Sequence, residues 1–175
     1  KNRATKIRIK APKVLDSGGI VYYSPKSEES SFHNSIRAQF STDFWSVGTF
    51  GRQEGAMGQL IQKDHPLFKE FPTESHTNWQ WWPMANQRAV ILPDTVKQPF
   101  DAIITEMDSY AFLRPMAQLF ECRVGNGKLL YSTLGLQDLQ QYPEGKALLR
   151  SIYKYLDLET FAPKQSIEWE TLVSI

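Results

Sequence analysis

The segment Ala117-Gln118-Leu119-Phe120-Glu121-Cys122-Arg123-Val124, followed by Gly125-Asn126-Gly127 and then Lys128-Leu129-Leu130-Tyr131-Ser132-Thr133-Leu134, constrains the fold more than any other part of the chain. Side chains alternate across a strand with period two. Leu119, Glu121 and Arg123 therefore share one face, and Phe120, Cys122 and Val124 the other. A glycine–asparagine turn between two such runs predicts a β-hairpin.

The rest of the chain supplies strands and helices in alternation. Ile20-Val21-Tyr22-Tyr23, Ala89-Val90-Ile91-Leu92 and Ala102-Ile103-Ile104-Thr105-Glu106-Met107 are short apolar strand candidates. Ile7 to Leu15 is amphipathic but interrupted by Pro12, and Ser17-Gly18-Gly19 ends it. Pro143 opens a helix in which Leu148, Ile152 and Leu156 recur at i, i+4 and i+8, and Lys154 suits the negative end of its dipole. Ser24 to Ser35 reads as a surface loop. The expectation is one α/β domain over residues 1–175: a mixed sheet with flanking helices and a closing hairpin.

Between residues 40 and 83 the periodicity fades, and aromatics, Gly, Pro and His accumulate. This stretch reads as an aromatic-rich insertion carrying short helices. Gly55 to Ile61 suggests one or two helical turns. Asp64 to Phe71 suggests a capped short helix with Pro66 early in it, and Thr77 or Asn78 is placed to cap another running to Met84.

Composition narrows the function classes. Hydrophobic residues at 41% supply a core, which argues against a disordered chain. Twenty basic and nineteen acidic residues leave a net charge of +1, without the clustered positive charge that nucleic acid demands. The one basic cluster, Lys1 to Lys10, reads as a solvated end and is too charged for a signal-peptide core. The start at Lys1 rather than Met suggests a piece of a longer or processed chain. No run reaches the ~20 apolar residues that span a bilayer, so no membrane insertion is expected. Cys122 is the only cysteine, which excludes an internal disulfide.

Few residues promise chemistry. His33, His65 and His76 lack a metal-ligand spacing, so no metal or other cofactor is expected. His65 before Pro66 reads as a turn cap, and His76 as packing beside the tryptophans. Cys122, mid-strand between Glu121 and Arg123, reads as a small core residue rather than a nucleophile. Glu106 and Asp108 end a strand where α/β ligand sites lie, and two carboxyls at suitable separation can cleave a glycosidic bond. Trp79, Trp81 and Trp82 cannot all face one way on a helix, so at least one belongs at the surface or an interface. Exposed indoles stack on sugar rings and anchor protein contacts, whereas core indoles need an acceptor, for which Glu74 or Gln80 is at hand.

The string His65-Pro66, then Phe71-Pro72-Thr73-Glu74-Ser75-His76-Thr77-Asn78-Trp79-Gln80-Trp81-Trp82, resembles a signature near the C-terminus of Bacteroidetes-type family 2 glycoside hydrolases. Phe44-Trp45, Gly58 and the hairpin Phe120 to Leu130 extend the resemblance from about Phe44 to Leu156. It implies a flavodoxin-like domain of the class I glutamine-amidotransferase type, placed far downstream of a catalytic barrel that these residues do not include. The barrel's glutamates have no match here, and neither does the amidotransferase cysteine in its glycine-flanked elbow. The expected function is therefore a non-catalytic accessory domain of a β-galactosidase-like enzyme, with the other domains of that glycosidase as partners. Trp79, Trp81, Trp82 and His76 are the candidate sugar or interface contacts. A carbohydrate-binding module, taking oligosaccharide, is the alternative. A free-standing hydrolase or amidotransferase using Cys122 or the Glu106/Asp108 pair is the third reading. The resemblance also implies a periplasmic or cell-surface location.

Overall fold

The apolar runs become strands, and tertiary pairing adds others that local pattern does not announce. The structure is a computed structural model describing residues 11–41, 55–96 and 99–175. Its seven strands are β1 (Ile20–Tyr23), β2 (Ser35–Arg37), β3 (Gly58–Ile61), β4 (Arg88–Ile91), β5 (Ile104–Met107), β6 (Met116–Val124) and β7 (Gly127–Ser132). Three helical elements used below are α1 (Trp82–Ala85), α2 (Pro143–Leu156) and α3 (Trp169–Val173).

The predicted hairpin organises the sheet. β6 pairs antiparallel with β7 from Leu119↔Ser132 to Val124↔Gly127, leaving a two-residue turn in which Gly125 takes φ 56°. Glycine meets no steric penalty there. Ala117 pairs with Val90 of β4 on one side and Thr105 of β5 on the other. Leu119 pairs with Ser132 of β7 and Ile104 of β5. Strands β4 and β7 thus share one edge of β6, and β5 takes the opposite edge. Gln118 has no partner on β5, so the register shift there is a bulge at Gln118. β2 extends β4, β3 extends β5, and β1 runs parallel to β7, which makes the sheet mixed.

Alternation along β6 divides the core. Leu119 joins Leu130, Ile104, Trp81 and the apolar side of α2 in one cluster. Phe120, Cys122 and Val124 join Leu129, Tyr131 and Leu172 of α3 in another. The sheet is therefore covered on both faces, a three-layer mixed α/β domain. On α2, Leu148, Leu149, Ile152 and Tyr155 are buried, each contributing roughly 2 kcal/mol by removal from water.

Local sequence explains several joints. The helical segment at 11–16 ends where Gly18 adopts φ 82°. The Gly18 N–H donates to the Leu15 carbonyl at 2.9 Å and the Gly19 N–H to the Val14 carbonyl at 2.8 Å, a paired bonding that satisfies the last turn. A side chain on Gly127 would meet the Leu15 backbone at 2.5 Å, so glycine lets the hairpin close against that segment. The basic cluster at 1–10, the Phe44-Trp45 pair and most of the link before Gly55 lie outside the described residues.

Two expectations need correction. Gly58–Ile61 is a strand, not a helical turn, because its backbone pairs with Met107 to Ile104 of β5 and sheet pairing overrides weak local preference. The 40–83 stretch is also more than an insertion. It supplies β3 to the sheet, and Leu67, Phe68, Phe71 and Trp81 to the main core.

Candidate functional site

The tryptophan segment is shaped by its cap. The Asn78 side chain accepts from the Gln80 N–H at 3.0 Å and starts the 3-10 turn Trp79–Trp81, after which Trp82 opens α1 with Pro83 in its first turn. Positions three apart on such a turn share a side. The rings of Trp79 and Trp82 lie 5.7 Å apart, tilted by 41°. Trp79 is 84% exposed and Trp82 55%.

Trp81 points the other way and is fully buried, edge-on to Phe68 and Phe71. Its indole N–H donates to Thr73 Oγ1 at 2.7 Å, not to Glu74 or Gln80. Trp81 is therefore removed from the candidate contacts, leaving Trp79, Trp82 and His76. His76 does not pack as expected either: it is exposed and bridges to Leu60 at the open edge of β3.

The two acids at the end of β5, Glu106 within it and Asp108 just past it, meet opposite fates. The Asp108 carboxylate is engaged on both oxygens by Arg114, through Nε at 2.8 Å and Nη2 at 3.0 Å. It also accepts from the N–H groups of Arg114 and Ser109. Burial opposes its ionisation, but the Arg114 and Ser109 donors outweigh burial and hold its pKa below the ordinary value. Glu106 is 1% exposed, and neither carboxyl oxygen has a hydrogen-bond partner. Burial, with the Asp108 charge adding, pushes its pKa up to about 9; the nearby Gly58 N–H pulls the other way without reaching bonding geometry.

The polar neighbours of Glu106 are already committed. Gln59, opposite it on β3, donates through Nε2 to Gln118 Oε1 at 2.7 Å and accepts from Thr77 Oγ1 at 3.2 Å. The Gln118 amide turns toward the carbonyls of Gln87 and Arg88. Glu106 is consequently a buried neutral acid and Asp108 a fully engaged anion. The pair presents no free carboxylate for acid–base cleavage.

A cluster that sequence reading did not assemble lies elsewhere. A cleft of about 710 Å³ opens where the ends of β3 and β6 meet the C-terminal part of α2. His65 caps the 3-10 turn Pro66–Glu70, its Nδ1 accepting from the Leu67 N–H at 3.3 Å, as its place before Pro66 predicts. Its Nε2 faces Glu121 Oε2 at 3.9 Å, and that oxygen accepts from Tyr155 Oη–H at 2.7 Å. Burial lowers the His65 pKa, against the raising effect of Asp101. Burial also raises that of Glu121, helped by Asp101 and opposed by the Tyr155 hydroxyl and Lys128. Tyr155 is raised by burial and by its bond to Glu121. The signal available in the sequence was Glu121 itself, an acid on an inward-facing strand position. A second hollow, of about 50 Å³ between α3 and β7, is almost wholly apolar and offers no chemistry.

Cys122 is fully buried, and burial, with Glu121 adding, pushes its thiol up to about 12. At neutral pH it is no nucleophile. His33 is exposed on the far side of the sheet order, beside the chain's last residue, whose carbonyl accepts from its N–H. Among the described residues no group of three or more His, Cys, Asp or Glu side chains is arranged to hold a metal ion. No described helix is long and apolar enough to cross a membrane.

These features define a mixed α/β domain with an exposed indole pair and a separate polar cleft. Residues 3–175 match the family described as Domain of unknown function (DUF8487), and the chain belongs to that family. No curated protein matches the chain.

Proposed function

We propose that this chain is a non-catalytic accessory domain of a β-galactosidase-like family 2 glycoside hydrolase, docked onto another domain of that enzyme through Trp79 and Trp82. The observation that carries this reading is the exposure of two adjacent indoles, 84% and 55%, on a turn whose third indole anchors the core. Trp is seldom left bare, and paired exposed aromatics are typical anchors of protein contacts. In this reading the sheet is a reworked flavodoxin-like, glutamine-amidotransferase-type core. The parallel β1–β7 pair and the helices on both faces favour that descent, and the antiparallel pairings of β2 to β7 are its departure from the pattern. Export to the periplasm or cell surface follows from the same parentage.

The test is the double substitution Trp79→Ala, Trp82→Ala in the parent enzyme. Docking predicts a lower thermal midpoint for the parent or a changed kcat/KM, while the isolated domain keeps its own stability. An unchanged parent on both measures refutes it. A second reading, oligosaccharide binding, is favoured by the 41° tilt of the two rings, which presents two planes to a sugar chain. Saccharide-dependent NMR shifts confined to the Trp79 and Trp82 indoles would promote that reading over docking.

A further inference from the structure

The polar cleft plays no part in docking through the tryptophans, and its geometry points to a ligand of its own. Its walls come from stretches far apart in sequence: the end of β3 with His65, the loop holding Asp101, Glu121 on β6, Tyr155 on α2, and the segment 160–165. A volume near 710 Å³ falls within the range of small-molecule sites. His65 and Glu121 at its inner wall are each 15% exposed at the side chain.

The protonation pattern there is set by neighbours. His65 Nδ1 accepts from the Leu67 amide, so the neutral ring carries its proton on Nε2, facing Glu121. The 3.9 Å separation from Glu121 Oε2 is too long for a hydrogen bond. An oxygen about 2.8 Å from each atom fits that gap with an angle near 90°. It must accept from Nε2–H and donate to the carboxylate, which is what a hydroxyl does. Gln165 donates to the carbonyls of Asp101 and Glu121, and Gln62 to the Asp101 carboxylate, so both amides fix the walls.

The remaining polar groups are mixed in sign and kind. Lys63 and Lys164 oppose the three carboxyls of Asp64, Asp101 and Glu121 without fully balancing them, and the hydroxyls of Ser75 and Thr160 add neutral donors and acceptors. Such a lining discourages an anion, and polar groups spread among apolar ones suit a hydroxylated ligand better than a purely apolar one. We propose that this cleft binds a neutral polyhydroxylated small molecule, one of whose hydroxyls bridges His65 Nε2 and Glu121.

The test is an NMR titration of the full chain, following the imidazole signals of its three histidines against neutral mono- and disaccharides, with glucuronate as the charged comparison. The expected result is a saturable shift at His65, with His33 and His76 still, for at least one neutral sugar. A response to monosaccharides assigns a free sugar, and one to disaccharides alone a glycan chain; both support the site. Glu121→Gln keeps an oxygen that accepts from Tyr155 but strips it of charge, which weakens the hydrogen bond from the bridging hydroxyl and should lower affinity several-fold. His65→Asn, which keeps a cap for the Leu67 amide, should abolish saturation transfer to the sugar protons. Near-UV circular dichroism checks that each variant is folded. A silent His65 across the panel, or wild-type affinity in both variants, overturns the proposal. Shifts at Trp79 and Trp82 with His65 silent overturn it too, and favour the indole pair as the sugar site. Docking through the tryptophans can fail its own test without touching this one.

Discussion

Replacing Glu106 with Gln should flatten one part of the protein's pH–stability profile. The carboxyl is 1% exposed, unpartnered, and titrates at about 9 in the fold against an ordinary 4.5. A folded pKa above the unfolded one means that the unfolded chain releases its proton first. The group's contribution is fully favourable below 4.5 and is lost progressively as pH rises toward 9. Each pH unit inside that window costs about 1.4 kcal/mol, so from pH 5 to pH 7 wild type should lose about 2.7 kcal/mol that Glu106→Gln keeps. The amide is nearly isosteric and replaces one unpartnered neutral group by another, so the variants should be close in stability at pH 4. Urea unfolding of both proteins at pH 4, 5, 7 and 8 reads the difference directly. Other titrating groups, including Glu121, His65 and Asp108, act alike in both proteins and cancel. Parallel profiles, with no growing gap between pH 5 and 7, would refute the picture of a buried neutral acid at the end of β5.

Three further outcomes follow from the same geometry. Trp81→Ala removes a fully buried indole from between Phe68 and Phe71 and should cost about 3–5 kcal/mol in urea unfolding, whereas Trp79→Ala should be close to neutral. Arg114→Ala leaves the Asp108 carboxylate without its guanidinium. Because the native pKa of Asp108 is depressed, the stability lost should be present at pH 7 and vanish as pH falls through that pKa, which acid unfolding of the variant will show. Cys122 should resist a thiol-specific disulfide reagent at pH 8 in the native protein and react in denaturant; rapid native labelling would contradict its burial.

Most of the sheet was legible because strand pattern is a local property. The alternation on β6 foretold which residues would face each core: Leu119 lies in one cluster, and Phe120, Cys122 and Val124 in the other. The spacing of Leu148 and Ile152 foretold the buried side of α2, and Asn78 and His65 cap the turns they were placed to cap. β2 escaped notice because three residues with one buried side chain carry no period. β3 escaped because Gly58–Ile61 is a strand only by virtue of its partner β5.

What the sequence determined by itself was the mixed α/β class, the hairpin, the long helix and the rule that three close tryptophans must diverge. Each follows from spacing along a single element. Tertiary structure alone decided which indoles diverge outward, that Asp108 is consumed by Arg114 while Glu106 stays buried and unpartnered, and that His65, Asp101, Glu121 and Tyr155 converge on one cleft. These outcomes depend on contacts between residues far apart in the chain: Glu121 meets Tyr155 across 34 positions. Burial and electrostatic neighbourhood are properties of packed space, and no spacing along one strand or helix encodes them.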